Sequence, residues 1–261
     1  FYDEKGSQLF EAITRLPEYY PTNTEIDIFR AHADDMAERI GPGCTLIEFG
    51  SGNSEKIRTF LDAIAPAIYA PLDISADFLQ SAARELHEER PQLQVNACVV
   101  DYTRRVELPF DPVGRLVAFF PGSSIGNFAP AGAAEFLQRA RALVGDDGAL
   151  LLGVDLKKDR EVLHSAYNDS AGVTAEFNLN VLSHLNDLVG TDFDVSAFRH
   201  MAFYNETLGR IEMHLESTRD QTVRLGEWSV DIARGERIHT ENSHKFDHAQ
   251  VLAEASKAGF A

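Results

Sequence analysis

What most constrains the fold of this chain is the form of its apolar runs. Residues 45–49, 68–74, 95–100, 116–120 and 150–156 are short and almost continuously hydrophobic, and helical patterns from 54, over 76–89 and over 131–144 separate them. A strand with one wet face alternates polar and apolar residues, whereas a nearly continuous run is buried on both faces. Such runs joined by helices predict a parallel sheet, that is, a doubly wound α/β fold. Ahead of it, Leu9, Phe10 and Ile13 recur at helical spacing, Pro17 and Pro21 interrupt the run, and a second helix over 24–40 ends at Gly41-Pro42-Gly43. After Asp155 the texture changes. Residues 159–189 read as two successive helices, and 198–245 alternate like antiparallel strands with a turn at 233–236. The expected organisation is a core of residues 1–157 and 246–261 with a helical N-terminal layer, interrupted by an α+β domain over 158–245. The helix over 247–259 would normally lead into another strand, so a longer parent chain is expected.

Charge narrows the partners. Forty-one acidic against 24 basic residues give a net charge of −17, which repels phosphate backbones and anionic lipid surfaces. Nucleic acid and membrane are therefore not expected partners. Cys44 and Cys98 both lie in strand-like runs, which suits a reduced, cytoplasmic setting better than a disulfide framework. No apolar run approaches the ~20 residues of a membrane span. The nine histidines form no metal-binding spacing, so no metal is expected.

The sharpest local signal is Glu48-Phe49-Gly50-Ser51-Gly52-Asn53-Ser54, at the end of the first strand. Gly50 and Gly52 allow a tight turn and close approach of a ligand to the backbone, and Ser54 can cap the next helix. Position 55 is Glu, so the third glycine of a dinucleotide fingerprint is missing. An acid two residues before the first glycine suits an S-adenosylmethionine-dependent methyltransferase instead. Asp73 ends the next strand 21 residues beyond Gly52, where a carboxylate can accept both ribose hydroxyls. Asp101 ends the third and could meet an adenine amine, with Tyr102 packing the base. Any one such acid alone reads as readily as a helix cap. The loop Gly122-Ser123-Ser124-Ile125-Gly126-Asn127 follows the fourth strand, where open α/β sheets bind ligands. Asn127 offers an uncharged donor and acceptor there, although asparagine in a glycine-rich loop is also a common turn former.

Seven segments in order make a family resemblance specific: Phe1-Tyr2-Asp3-Glu4, Leu16-Pro17-Glu18-Tyr19-Tyr20-Pro21-Thr22, Glu48-Phe49-Gly50-Ser51-Gly52, the loop of residues 122–127, Tyr167-Asn168-Asp169, Arg210-Ile211-Glu212-Met213 and Thr240-Glu241-Asn242-Ser243-His244-Lys245-Phe246. The chain resembles the histidine-specific Nα-methyltransferases of ergothioneine biosynthesis. That resemblance implies a Rossmann-like methyltransferase core and transfer of three methyl groups from S-adenosylmethionine to the α-amine of L-histidine, giving hercynine. It also implies about 35 residues before Phe1 and a further C-terminal strand, and it makes the inserted domain over 158–245 the substrate-binding one; a monomer is expected. Donor-site positions then fall on Gly50, Gly52, Lys56, Asp73, Asp101 and Tyr102, the last being commonly Phe in the family. Tyr19, Asn127 and Tyr167 would surround the amino-acid head group and carry the catalytic role, with Gly122 beside them and Tyr2 and Phe10 closing over it. Glu241 and Ser243 would read the imidazole, and Met213 would line its pocket.

Glu241 and Ser243 are two apart, so on a strand both face one way, and a carboxylate with a hydroxyl can serve two ring nitrogens. Without the family context, the same alternation reads as a solvated hairpin edge. Three rival readings remain: a family member acting on another aromatic amino acid such as a tryptophan derivative, a nicotinamide-dependent oxidoreductase, and an inactive binding protein on the same fold. The imidazole-facing Glu241 opposes the first and the missing glycine the second. Intact Asp73, Asn127 and Glu241 oppose the third.

Overall fold

A computed structural model describes every residue of the chain except Tyr2, Asn53, Ser54 and Thr59, and gives only the backbone of Glu55 and Phe78. The expected Ser54 cap and the Tyr2 substrate contact thus lie outside the described residues. In chain order the helices are α1 (Glu4–Thr14), α2 (Tyr20–Ile40), α3 (Glu55–Arg58), α4 (Leu61–Ile64), α5 (Ala76–Glu89), α6 (Pro130–Val144), α7 (Arg160–Tyr167), α8 (Val173–Val189) and α9 (His248–Lys257). The strands are β1 (Thr45–Phe49), β2 (Ile68–Asp73), β3 (Gln94–Val95), β4 (Cys98–Val99), β5 (Leu116–Phe120), β6 (Ala149–Leu152), β7 (Phe198–Asn205), β8 (Arg210–Ser217), β9 (Gln221–Leu225), β10 (Trp228–Ile232) and β11 (Arg237–His244). They form two compact units, Asn23–Asp155 with Phe246–Ala261, and Phe1–Thr22 with Leu156–Lys245.

The first unit is the doubly wound one. Its sheet runs β3-β2-β1-β5-β6, with β4 also on β2, and every pairing is parallel. Successive residues of its strands enter two different cores. Leu46, Tyr69, Val117 and Phe119 pack with Phe29, Ile40, Ile57, Leu61, Ile64 and Leu86 of the helices α2 to α5. Ile47, Phe49, Ala70, Leu72, Ala118 and Phe120 pack with Phe136, Leu137, Ala140 and Val144 of α6. Apolar residues at consecutive positions are thus explained by a sheet covered on both faces. The third apolar run is divided into β3 and β4 but keeps one register on β2, since Tyr69 faces Val95 and Leu72 faces Cys98, 26 positions apart in both cases (95−69 and 98−72). The fifth run stops at Leu152, short of the expected 156. Chain order reverses between β1 and β5, which in open α/β sheets marks where ligands bind beyond the strand ends.

The second unit joins the three-stranded antiparallel sheet β11-β8-β7 and the hairpin β9-β10 to helices α1, α7 and α8. Here the structure corrects the expected boundary, because residues 1–22 belong with the inserted unit and not with the core. Ile13, Leu9 and Phe10 of α1 pack with Phe177, Leu163, Ile211 and Met213. Asp3 caps α1 by accepting from Gly6 N at 2.8 Å, and it also accepts from Asn180 Nδ2 of α8 at 2.7 Å. Pro21 is a second correction: it sits in the first turn of α2 rather than breaking a helix, because a first-turn N–H has no intrahelical acceptor to lose.

Candidate active site

On the core unit, β1 ends in a turn with Gly50 at φ +68° and Gly52 at φ +52°, the left-handed region that side chains resist. Gly50 N and Ser51 N both donate to Leu72 O, at 2.9 and 3.2 Å, which ties the turn to the end of β2. Asp73 completes the tie: one carboxylate oxygen accepts from Gly52 N at 3.2 Å and the other from Ser75 N at 3.0 Å. A Cβ on Gly50 would lie 3.1 Å from the Tyr102 hydroxyl. The Tyr102 ring packs edge-on against Phe49 and Phe120, with centroids 6.0 Å away in each case. Asp101 is turned to its own loop, accepting from Thr103 N at 3.0 Å and pairing with Arg104 at 3.2 Å. The Thr103 hydrogen bonds hold its carboxyl below the usual range. Glu48 is buried and hydrogen-bonded by the Tyr69 hydroxyl. Burial pushes it up to about 8.

Lys56 forms a salt bridge to Glu25 at 2.8 Å, and the other oxygen of Glu25 accepts from Gly122 N at 2.7 Å. A side chain at Gly153 would stand 2.2 Å from that Glu25 oxygen, so the glycine just after β6 leaves the space through which Glu25 reaches the loop after β5. Ser123 holds a left-handed φ of +56° without being glycine, and its hydroxyl accepts from Asp155 N at 2.8 Å. Strain of this kind persists only where the surroundings over-determine it. The 3-10 turn Ser124–Asn127 follows and leaves Asn127 exposed.

On the inserted unit, Phe10, Tyr19, Tyr167 and Met213 belong to one apolar cluster. The Tyr19 ring meets Phe10 edge-on at 6.4 Å and Tyr167 at 6.3 Å. Tyr167 donates its hydroxyl proton to Ser243 Oγ at 2.8 Å, and buried Lys245 donates to both oxygens, at 3.1 and 3.0 Å. Across the ladder Glu241 stands opposite Met213 and Ser243 opposite Ile211, so the two polar side chains share one face with Met213. Burial pushes the Glu241 carboxyl up to about 7, against the opposing charge of Lys245. The hydroxyl-rich pair Tyr167 and Ser243 beside a carboxyl near neutrality is a set that can exchange hydrogen bonds with a small zwitterion and a titrating ring.

A model of the family described as histidine-specific methyltransferase, SAM-dependent, matches residues 1–261. The chain belongs to this methyltransferase family. A histidine N-alpha-methyltransferase of Mycolicibacterium smegmatis is 44% identical over 266 residues, covering 99% of this chain and 82% of the relative. Ergothioneine biosynthesis protein 1 of Neurospora crassa is 35% identical over 99% of this chain, which matches 30% of that longer protein. In fold, the PH0226 protein of Pyrococcus horikoshii is similar with a TM-score of 0.51 at 14% identity, over 98% of this chain and 90% of that one. In this methyltransferase the expected residues fall into two groups. Gly50, Gly52, Lys56, Asp73, Asp101, Tyr102, Gly122 and Asn127 lie on the core unit, and Phe10, Tyr19, Tyr167, Met213, Glu241 and Ser243 on the inserted one. Two residues escaped the sequence reading. Glu25 lies 97 positions from Gly122, and nothing local announces it. Lys245 did carry a signal, since it continues the two-residue spacing of Glu241 and Ser243.

Proposed function

We propose that this chain transfers methyl groups from S-adenosylmethionine to the α-amine of L-histidine, carrying it to the trimethylated betaine, the first step towards ergothioneine. The observation that carries the reading is the shared face of Glu241, Ser243 and Met213, one carboxyl and one hydroxyl beside an apolar wall, matched to an imidazole. The core residues fit the donor: among the described residues, apart from its chain neighbours, none comes within 4 Å of where a Cβ on Gly52 would stand, and Asp73 accepts from the Gly52 N–H. Gly50, Gly52, Asp73 and Tyr102 would hold the donor, which when bound supplies an electrophilic methyl on a sulfonium sulfur.

The residues of this chain then have to present the amine without its proton, because the α-amine of a free amino acid is largely protonated at neutral pH. Tyr19 and Tyr167 are uncharged hydroxyl groups, and a hydroxyl neighbour does not lock the proton on as a carboxylate would. The Lys245 ammonium, 3.1 Å from the Tyr167 hydroxyl, disfavours a second cation close by. Asn127 would add an uncharged contact to the head group. What remains is positioning at near-attack distance. A net charge of −17 and two free, buried cysteines support a cytoplasmic, monomeric enzyme of small-molecule chemistry. Among the described residues no helix is long and apolar enough to cross a membrane. Mass spectrometry of the protein with the methyl donor and each common amino acid tests the reading. Histidine gaining three methyl groups is the expected result, and preferential methylation of tryptophan would overturn it.

A further inference from the structure

The sheet β11-β8-β7 has a second face that the proposed reaction does not use. Along β8, Ile211, Met213 and Leu215 enter apolar cores, so Glu212 and His214 project the other way. Their partners across the ladder are Asn242 and His239 on β11. Glu212, His214 and His239 each bring one ligand atom to within 4.8 Å of the other two. Glu212 is oriented for this, since one of its oxygens is taken by Arg210 Nε at 2.9 Å and Asn205 Nδ2 at 3.0 Å. That leaves its second oxygen 3.2 Å from His214 Nε2. The imidazole of His214 is stacked between Phe203 at 5.3 Å and His239 at 4.5 Å. Two buried polar atoms of this face, His214 Nδ1 and the side-chain oxygen of Asn242, have no hydrogen-bond partner among the described residues.

We propose that Glu212, His214 and His239 form a binding site for a divalent transition ion of the zinc type on this outer face. One carboxylate and two imidazoles are a zinc-type donor set, whereas calcium and magnesium take oxygen ligands. With metal–ligand bonds of about 2.0–2.1 Å, tetrahedral ligands stand roughly 3.3 Å apart. Glu212 and His214 already have that separation. His239 is exposed and is the ligand that would move, giving up the contact of its Nε2 with Glu241 O at 3.1 Å to close on the ion. A ligating imidazole must be neutral, and His214 Nδ1 is buried with no hydrogen-bond partner among the described residues. Because Glu212 and His214 lie on β8 and His239 on β11, the ion would clamp together the two strands whose opposite face carries Met213, Glu241 and Ser243.

The test is calorimetric titration of zinc chloride into the full chain near neutral pH, with no histidine or methyl donor present, because free histidine itself chelates zinc. One ion per chain is expected. His239→Ala should weaken binding by at least about tenfold, while His87→Ala, at an exposed position of α5, should leave it unchanged. Zinc should raise the melting temperature of the wild type and not of His239→Ala. Cobalt should show the intense visible absorption of a tetrahedral site in the wild type only. Absence of stoichiometric binding, or equal zinc affinity in wild type and His239→Ala, would overturn the assignment whether or not the histidine reaction is correct.

Discussion

Glu241→Gln tests the imidazole site through its proton. The carboxyl is held up to about 7 by burial, and a free histidine side chain titrates at about 6.5. Two groups with overlapping pKa values share one proton across that interval, so a donor always faces an acceptor. Below about pH 6 both are protonated, the carboxyl keeps only a neutral carbonyl oxygen to accept from the imidazolium, the charge-assisted bond is lost, and histidine binding weakens. Above about pH 8 the carboxylate still accepts from the neutral ring. The acid limb of kcat/KM for histidine therefore belongs to the pair. Glutamine keeps the size and removes the shared proton. The loss of a hydrogen bond to a charged group, about 1.5–3 kcal/mol, corresponds to about 10- to 150-fold in kcat/KM near neutrality. The limb that reports deprotonation of the α-amine should remain in the variant. Lys245→Met should move the acid limb upward, because it removes the cation that favours the carboxylate. The assay is initial rate against histidine concentration across pH at saturating methyl donor. An unchanged acid limb in Glu241→Gln, or a histidine KM within about twofold of wild type, worth only ~0.4 kcal/mol, would refute the reasoning.

Asp73→Asn should cost about 1.5–3 kcal/mol of affinity for the demethylated donor and lower the melting point, since Asp73 also accepts the Gly52 and Ser75 N–H groups. Calorimetry giving wild-type affinity in the folded variant would remove Asp73 from the donor site. Glu48 sits at about 8 in the fold, raised by burial above its ordinary 4.5, so the folded state holds the proton more tightly than the unfolded chain. Its penalty is absent below pH ~4.5 and grows to an upper bound of about 5 kcal/mol above pH ~8, at about 1.4 kcal/mol per unit. Glu48→Gln should accordingly gain stability over wild type as pH rises through that window. A pH-independent difference in thermal unfolding would contradict it.

The parallel core was legible because burial on both faces leaves a plain mark in sequence. β1 and β5 begin and end where their apolar runs do, and so does α5. The ownership of residues 1–22 was not legible. The apolar spacing of Leu9, Phe10 and Ile13 shows that a face of α1 is buried, but not that Phe177 of α8 and Met213 of β8 cover it. The same limit hides Glu25, whose carboxylate does its work on a loop 97 positions away. Asp73 and the Gly50-Ser51-Gly52 turn could be read because strand ends and left-handed glycines carry local chemistry. Asp101 stands in the same kind of place, and its carboxylate accepts from Thr103 N and pairs with Arg104, contacts set by the local turn.

One residue decides how β11 divides its chemistry between two faces. By simple alternation His239 and Glu241, two apart, would point the same way. They do not, because the register shifts between them: His239 faces His214, whereas Glu241 faces Met213, and consecutive residues of β8 point to opposite sides. Thr240 is the extra residue, and it is anchored, its hydroxyl donating toward Met213 O at 3.0 Å and toward Asn178 Oδ1 of α8 at 2.7 Å. A bulge of this kind re-aims the side chains that follow it. Beyond it the alternation resumes, with Ser243 opposite Ile211 on the face of Glu241, and Asn242 opposite Glu212 on the other. The face of Glu241 and the face of His239 therefore diverge at Thr240. In a strand without the bulge, Glu241 and Ser243 would still share a face, but His239 would share it with them and would be lost to Glu212 and His214.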